Sequence, residues 1–267
     1  MTPVTRASIS IVTPTLNAAT YLDRCLASVQ EQSVGQLEHF VVDGGSTDRT
    51  AEIVQHAPGV TWLSRPGSSQ TQAINEGLRR ATGDIVAWLN ADDLYAPDAL
   101  AFVLDGFARD PSLDVLYGDC EVIGEHDEPL WSERPGPYDF RRMLRRGNYI
   151  AQPAVFLRRT VFDQLGYLDD SLEYAMDYEF WLRLKGRRFV YVPRQLAYFR
   201  WHAASKSARG QLQGWREFLR IVSRHGGGWT PEIVWACART LVTVGRLQVI
   251  HSITGSKPVR PLTRGTA

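Results

Sequence analysis

The sequence predicts an α/β protein: a mainly parallel, Rossmann-like sheet flanked by helices, with a helical extension at its C-terminal end. Three observations lead there. Short apolar runs alternate with segments of helical periodicity through the first half of the chain. Clusters of Asp, Asn, Gly, Ser and Thr follow directly after several of those runs. From about residue 211 the pattern is helical only.

Taken in order, Ser8–Val12 (SISIV) reads as a buried strand. Tyr21–Gln32 reads as a helix carrying Leu22, Leu26 and Val29 on one face. Leu37–Val42 is a second strand, and Asp48–His56 a helix with Thr47 or Asp48 placed to cap it. Val60–Leu63, the helix Gln70–Ala81 and the strand Ile85–Leu89 complete a βαβαβαβ rhythm, which implies parallel strands with helices on both faces. Pro97–Ala108 is helical with Pro97 in its first turn. Leu113–Tyr117 and Asp119–Ile123 are strands broken at Gly118, and EPLWSERPGPYDF is a loop. A basic helix spans Arg141–Arg146, a strand Ala154–Leu157, and a helix Ala175–Lys185. Phe189–Val192 and Ala197–Trp201 are the last strands. The apolar segment Pro231–Ile253 forms a second C-terminal helix, and the last dozen residues a loose tail.

Composition narrows the function classes. With 267 residues, 44% hydrophobic and 22% charged, the chain can bury a large core. A net charge of +1 gives no general argument for nucleic acid or for an acidic substrate. Cys25, Cys120 and Cys237 form neither a disulfide framework nor a zinc pattern, which fits a reducing compartment. The start lacks a signal-peptide layout, and no run of eighteen apolar residues occurs. The expectation is a cytoplasmic protein. Peripheral membrane contact through RRMLRRG and the apolar helix is the alternative to an ordinary solvated face and a packed helix.

In an open parallel sheet, ligands bind beyond the carboxyl ends of the strands. Three polar clusters lie there: Thr13-Pro14-Thr15-Leu16-Asn17, Asp43-Gly44-Gly45-Ser46-Thr47-Asp48, and Asn90-Ala91-Asp92-Asp93. Two adjacent carboxylates at the end of a buried strand repel each other unless a cation or hydrogen-bond donors compensate. Mg²⁺ or Mn²⁺ suits one or two carboxylates plus phosphate oxygens; a turn cap is the simpler alternative. Asp43-Gly44 reads either as a tight turn before a helix or as a carboxylate for a base beside backbone that a ring can approach. Neither a GxxxxGK[ST] loop nor GxGxxG is present, so a metal on Asp92 would be the means of holding a diphosphate. Asp177 lies one turn before Trp181. By spacing alone, it favours complementing a helix N-terminus over serving as a general base. His202 alone favours an ordinary satisfied histidine.

The ordered set IVTPTLN, VVDGGSTDRT, AINEGLRRATGDIVAWLNADD, QPAVFLRR, YAMDYEFWLRL and YFRWHAASKS resembles the family 2 glycosyltransferases over about residues 7–207. The resemblance implies the GT-A fold, inversion at the transferred sugar, and dependence on a nucleotide sugar. It divides the chain into a domain over 1–207 (nucleotide-binding half about 7–93, acceptor half about 94–207), an extension over 208–255 and a tail over 256–267. It implies that Thr13, Pro14, Thr15, Asn17, Asp43, Gly44, Arg65, Asn75, Asn90 and Ala91 contact the nucleotide sugar, with Asp43 at the base and Arg65 the nearest substitute for a phosphate-contacting arginine. Asp92, Asp93 and His202 become the metal set for Mn²⁺ or Mg²⁺, and Asp177 the catalytic base. The partners implied are a nucleotide-sugar donor, UDP favoured, and a glycan or lipid-linked acceptor. Asn90 departs from the family pattern by occupying the first acid position of the DxD motif. That favours one rival, a non-catalytic nucleotide-sugar or glycan-binding subunit. A nucleotidyltransferase would need a basic, glycine-rich loop after the first strand, which TPTLNAATYL lacks.

Overall fold

The computed structural model describes residues 7–202, 205, 206, 211–228, 230 and 231. Strands β1 (Ile9–Thr15), β2 (Leu37–Asp43), β3 (Val60–Ser64) and β4 (Ile85–Trp88) run parallel in the order β3-β2-β1-β4. Helices α1 (Leu22–Gln30), α2 (Thr50–His56) and α3 (Gln70–Arg80) follow the first three strands. β1 is buried at all seven positions because both of its faces are covered. Ile9 and Ile11 share a core with Cys25 and Val29 of α1, whereas Val12 packs with Ile74 and Leu78 of α3. Gly77 lets α3 approach, since any side chain there would overlap that of Val12.

The second half is mixed. β5 (Leu94–Tyr95) and α4 (Ala99–Arg109) precede β6 (Val115–Ile123) and β7 (Pro129–Glu133). α5 (Phe140–Arg146), β8 (Val155–Arg158), α6 (Thr160–Leu165), α7 (Met176–Arg183) and β9 (Phe189–Arg200) follow. β8 joins antiparallel to β4 and carries the sheet on to β6, β9 and β5. α8 (Gln211–Arg224) inserts Ile221 and Val222 into the core that α7 occupies, so the extension begins as part of the main domain.

The structure corrects several boundaries. The strand breaks expected at Gly118 and between Val192 and Ala197 are one feature. β6 and β9 are each continuous, and a bulge shifts their pairing from Gly118–Val192 to Asp119–Gln195. A side chain at Gly118 would collide with the Arg194 carbonyl on the bulged strand, so glycine is required by close approach. Part of the expected loop is β7, an edge strand on β6. Neither Thr47 nor Asp48 occupies the N-cap of α2, which is Arg49, although Asp48 Oδ1 accepts the Thr50 N–H at 3.0 Å. Almost all of the apolar segment Pro231–Ile253, and the whole tail, lie outside the described residues. Among the described residues no helix is long and apolar enough to cross a membrane.

Candidate active site

Parallel register aligns the first two clusters. Thr15 pairs with Asp43 across β1 and β2, and Asp43 with Ser64 across β2 and β3, so all three stand at one carboxyl edge. The Asp43 carboxylate is buried and accepts the Ser46 hydroxyl at 2.5 Å and the Ser46 N–H at 3.1 Å. Asn17, in a left-handed conformation at φ 51°, locks the two loops together. Its Oδ1 accepts the Thr47 N–H at 2.8 Å, and its own N–H donates to Ser46 Oγ at 2.8 Å. The Gly44 carbonyl receives the Gly67 N–H at 2.9 Å, which brings an open groove lined by Ser64, Arg65, Pro66, Gly67, Ser68 and Gln72 against Gly44. Thr15 Oγ1 and Ser68 Oγ are buried hydroxyls without a protein partner, groups that a bound ligand can satisfy.

The third cluster sits on a turn closed by the Asp93 N–H on the Asn90 carbonyl at 3.0 Å. Its two aspartates face different surroundings. Asp92 is partly exposed, and its Oδ2 lies 3.0 Å from His202 Nε2. Asp93 is fully buried, accepting the Arg200 N–H at 2.9 Å and the Asn90 amide at 3.1 Å. Burial, reinforced by the charge of Asp92, holds the Asp93 carboxyl well above the usual carboxylate range, against those two hydrogen bonds. Both Asp93 oxygens thus hold the turn together, Oδ1 through Arg200 and Oδ2 through Asn90.

Asn90 is explained by the same arrangement. Its amide donates to Asp93 while its Oδ1 accepts Gln70 Nε2 at 2.7 Å. An aspartate at position 90 would set another carboxylate against Asp93 with no proton to donate. Lys206 Nζ donates to Gln70 Oε1 at 3.2 Å and lies 3.8 Å from Glu173, so a cation stands two hydrogen bonds from Asn90. Burial holds its ammonium below the usual lysine range.

Arg200, like Lys206, is a residue that sequence reasoning missed. Its guanidinium is fully buried, with Nε donating to the Asp92 carbonyl at 3.0 Å and Nη1 to that of Gly124 at 2.9 Å. Nη2 lies 2.5 Å from Asp127 Oδ1. One side chain thus fixes the Asp92–Asp93 turn to the β6–β7 hairpin. The only signal in the sequence was its place in YFRWH, two residues before His202.

Asp177 lies in the first turn of α7 and is partly exposed. Its Oδ2 accepts the Asn148 amide at 2.8 Å and its Oδ1 the Tyr178 N–H at 2.7 Å. One turn later Trp181 stacks on Trp88 of β4, with centroids 5.6 Å apart, which holds α7 against the strand that leads to Asn90. Arg65 pairs with Glu76 at 2.6 Å and is half exposed.

Two expected contacts are withdrawn into the protein. Asn75 is fully buried on α3, with both amide protons given to the Leu168 carbonyl and Asp170, so it clamps the loop before α7 instead of facing a ligand. The Thr13 hydroxyl is buried 2.9 Å from His39 Nε2. Burial depresses the His39 ring to about 4. The unfolded ring protonates near 6.5, so stability is complete above that pH and declines toward pH 4, by about 3 kcal/mol in all. The urea midpoint of the native protein is therefore expected to fall more steeply between pH 7 and 5 than that of His39→Gln. Equal slopes would overturn this assignment.

An open parallel sheet with loops gathered at one carboxyl edge, extended by a mixed half that adds an acidic turn and a helix-borne carboxylate, defines the GT-A class of glycosyltransferase. Residues 10–166 match the model described as Glycosyl transferase family 2, and the chain belongs to that family. It is 36% identical over 180 residues to the "PGL/p-HBAD biosynthesis glycosyltransferase" of Mycobacterium tuberculosis, covering 65% of this chain and 68% of that one. Its fold is similar to Staphylococcus aureus TarS solved in complex with UDP-GlcNAc: TM-score 0.65, 18% identity, 82% of this chain and 66% of that one. It is also similar to the mannosyltransferase PcManGT of Pyrobaculum calidifontis in complex with GDP-Man and Mn²⁺: TM-score 0.59, 23% identity, 95% of this chain and 77% of that one. The chain spans about two-thirds of the length of the mycobacterial relative and of the TarS fragment 1–349, and 39% of the longer TarS chain.

Proposed function

We propose that the protein transfers a sugar from a nucleoside-diphosphate sugar, UDP favoured, to a hydroxyl of a glycan or lipid-linked acceptor, with inversion at the anomeric carbon. The observation that carries this reading is the Asp92–His202 pair after β4, on the same carboxyl edge of the sheet as Asp43, Thr15 and Gly44. Asp92 Oδ2 and His202 Nε2 are 3.0 Å apart and would together hold one Mg²⁺ or Mn²⁺ ion. Among the described residues no third His, Cys, Asp or Glu completes a metal cluster. An ion that takes its remaining ligands from diphosphate and water suits such a pair; a closed zinc centre does not.

When bound, the ion supplies positive charge against the departing diphosphate. Asp92 and His202 would hold it, and Lys206 adds a cation on the other side of Asn90. Asp43 accepts a hydrogen bond from the base in the slot beside Gly44, where removal of Ser46 from its carboxylate is the accompanying change. Asp177 accepts the proton of the acceptor hydroxyl as that oxygen bonds to the anomeric carbon and the diphosphate leaves with the electron pair of the broken bond. Asn148 and the Tyr178 N–H orient the carboxylate.

The relatives support a carbohydrate-building role, since the mycobacterial protein is named for glycosyl transfer in PGL/p-HBAD biosynthesis and one TarS structure holds UDP-GlcNAc. Asn90, which favours a non-catalytic subunit in sequence, is accounted for by its bond to Asp93. Calorimetric titration with UDP, GDP and dTDP, with and without Mn²⁺, tests the reading. One nucleotide is expected to bind with metal dependence, and Asp92→Ala to weaken it by about tenfold to a hundredfold. Failure of the native protein to bind any of the three would overturn the transferase reading.

A further inference from the structure

The family match ends at residue 166, yet a buried carboxylate well beyond it reaches the segment that carries Asp177. Glu217 of α8 is 4% exposed, and its carboxylate accepts hydrogen bonds from backbone N–H groups that precede α7. Its Oε2 accepts the N–H of Tyr174 at 2.8 Å, of Ala175 at 3.0 Å and of Glu173 at 3.2 Å, and its Oε1 accepts Glu173 at 3.0 Å. Three successive amides gathered on one carboxylate fix the path of residues 173–175. Ala175 is the N-cap of α7, and Asp177 is two residues on.

The surroundings make this more than a helix cap. Phe218, the next residue of α8, stacks on Tyr178, the residue after Asp177, with centroids 5.2 Å apart. The Tyr178 hydroxyl donates to the Met143 carbonyl on α5, close in sequence to Asn148, which donates to Asp177. Glu173 and Tyr174, which Glu217 holds, also flank Lys206. The carboxylate therefore holds the entry to α7.

We propose that Glu217 is a positioning residue for the transfer step: by holding residues 173–175 it sets Asp177 against the acceptor hydroxyl, which makes α8 part of the catalytic unit. This rests on the reading of Asp177 as the base. A misplacement of about 1 Å of such a group lowers a rate by up to about a hundredfold without touching the nucleotide site.

The test uses the full chain as native protein, Glu217→Ala, Glu217→Gln and Asp177→Asn. UDP release from UDP-glucose and UDP-N-acetylglucosamine, with water as acceptor, gives kcat and KM, and calorimetry gives UDP affinity. Glu217→Ala is expected to lose on the order of tenfold or more in kcat, with KM and UDP affinity within about twofold of native. Glu217→Gln should lie between the two, since it keeps one accepting oxygen but turns an N–H₂ group toward the Glu173 amide. Should the alanine variant not fold, the glutamine variant carries the test by the same split between kcat and KM.

A native kcat in Glu217→Gln overturns the proposal, as does a loss of kcat matched by equal loss of UDP affinity, the mark of a merely structural role. Asp177→Asn inactive beside a fully active Glu217→Ala overturns the proposal alone. Undiminished turnover by Asp177→Asn removes the base reading, and this proposal with it.

Discussion

Asp177→Asn is expected to reduce sugar transfer by about a thousandfold, within the range that loss of a general base produces, while leaving nucleotide affinity unchanged. The amide keeps the volume of the carboxylate and can still accept the Tyr178 N–H at the Oδ1 position. It cannot take a proton from an attacking hydroxyl at neutral pH, and its own N–H₂ would face that of Asn148. The loss should therefore lie in kcat. Calorimetry with UDP and a turnover assay on the same preparation separate the two quantities. Turnover within twofold of native would remove Asp177 from the chemistry, and a parallel loss of UDP binding would show that α7 had moved.

Arg200→Met is expected to cost about 3 to 5 kcal/mol of stability, the range for removing one partner of a buried ion pair. Methionine fills most of the volume of the arginine stem and isolates the effect of the charge. Without the guanidinium, the carbonyls of Asp92 and Gly124 lose their donor and the buried side of Asp127 loses its cation. For a chain of this size the melting temperature should drop by about 6 to 20 °C. Below that temperature the folded variant should also bind nucleotide less tightly in Mn²⁺, because the turn that presents Asp92 is held by Arg200 Nε. A melting point within about 2 °C of native would show that the buried ion pair adds nothing over an apolar contact, an outcome known elsewhere.

The parallel half of the fold was legible because it repeats a simple period. β1 to β4 are apolar runs bounded by polar turns, and α1 and α3 show their buried faces at helical spacing. β7 escaped because it is an edge strand with mostly exposed or half-exposed residues in a Pro- and Gly-rich stretch. α6 is a six-residue helix, too short to show a period. The acidic turn was legible as a place, but not the division of labour between its aspartates. Which of Asp92 and Asp93 is buried depends on Arg200, more than a hundred residues away, and on which face of β9 meets the turn. Glu217 was hidden for a related reason: a glutamate in an amphipathic helix looks solvated until the amides it receives are known. Resemblance alone assigns Asn75 to the nucleotide, and nothing in the sequence shows the Leu168 and Asp170 partners that bury it within α3.

The bulge between β6 and β9 sets how far along the edge the final residues reach. Before it, paired residues differ by 74 positions, as in Val115 with Phe189; after it they differ by 77, as in Ile123 with Arg200. The added slack is absorbed in two successive steps between Gly118 and Cys120, and everything downstream is drawn back by the same amount. Were the pairing regular, Arg200 would overshoot by three residues, about 10 Å, and by an odd number it would emerge on the opposite face of the sheet. The strand is thus a gauge of length: an insertion or deletion within β6 or β9 beyond the bulge would shift the register that places Arg200. Drift in chain length elsewhere on the surface changes a loop; here it would separate His202 from Asp92 without altering a single residue of either.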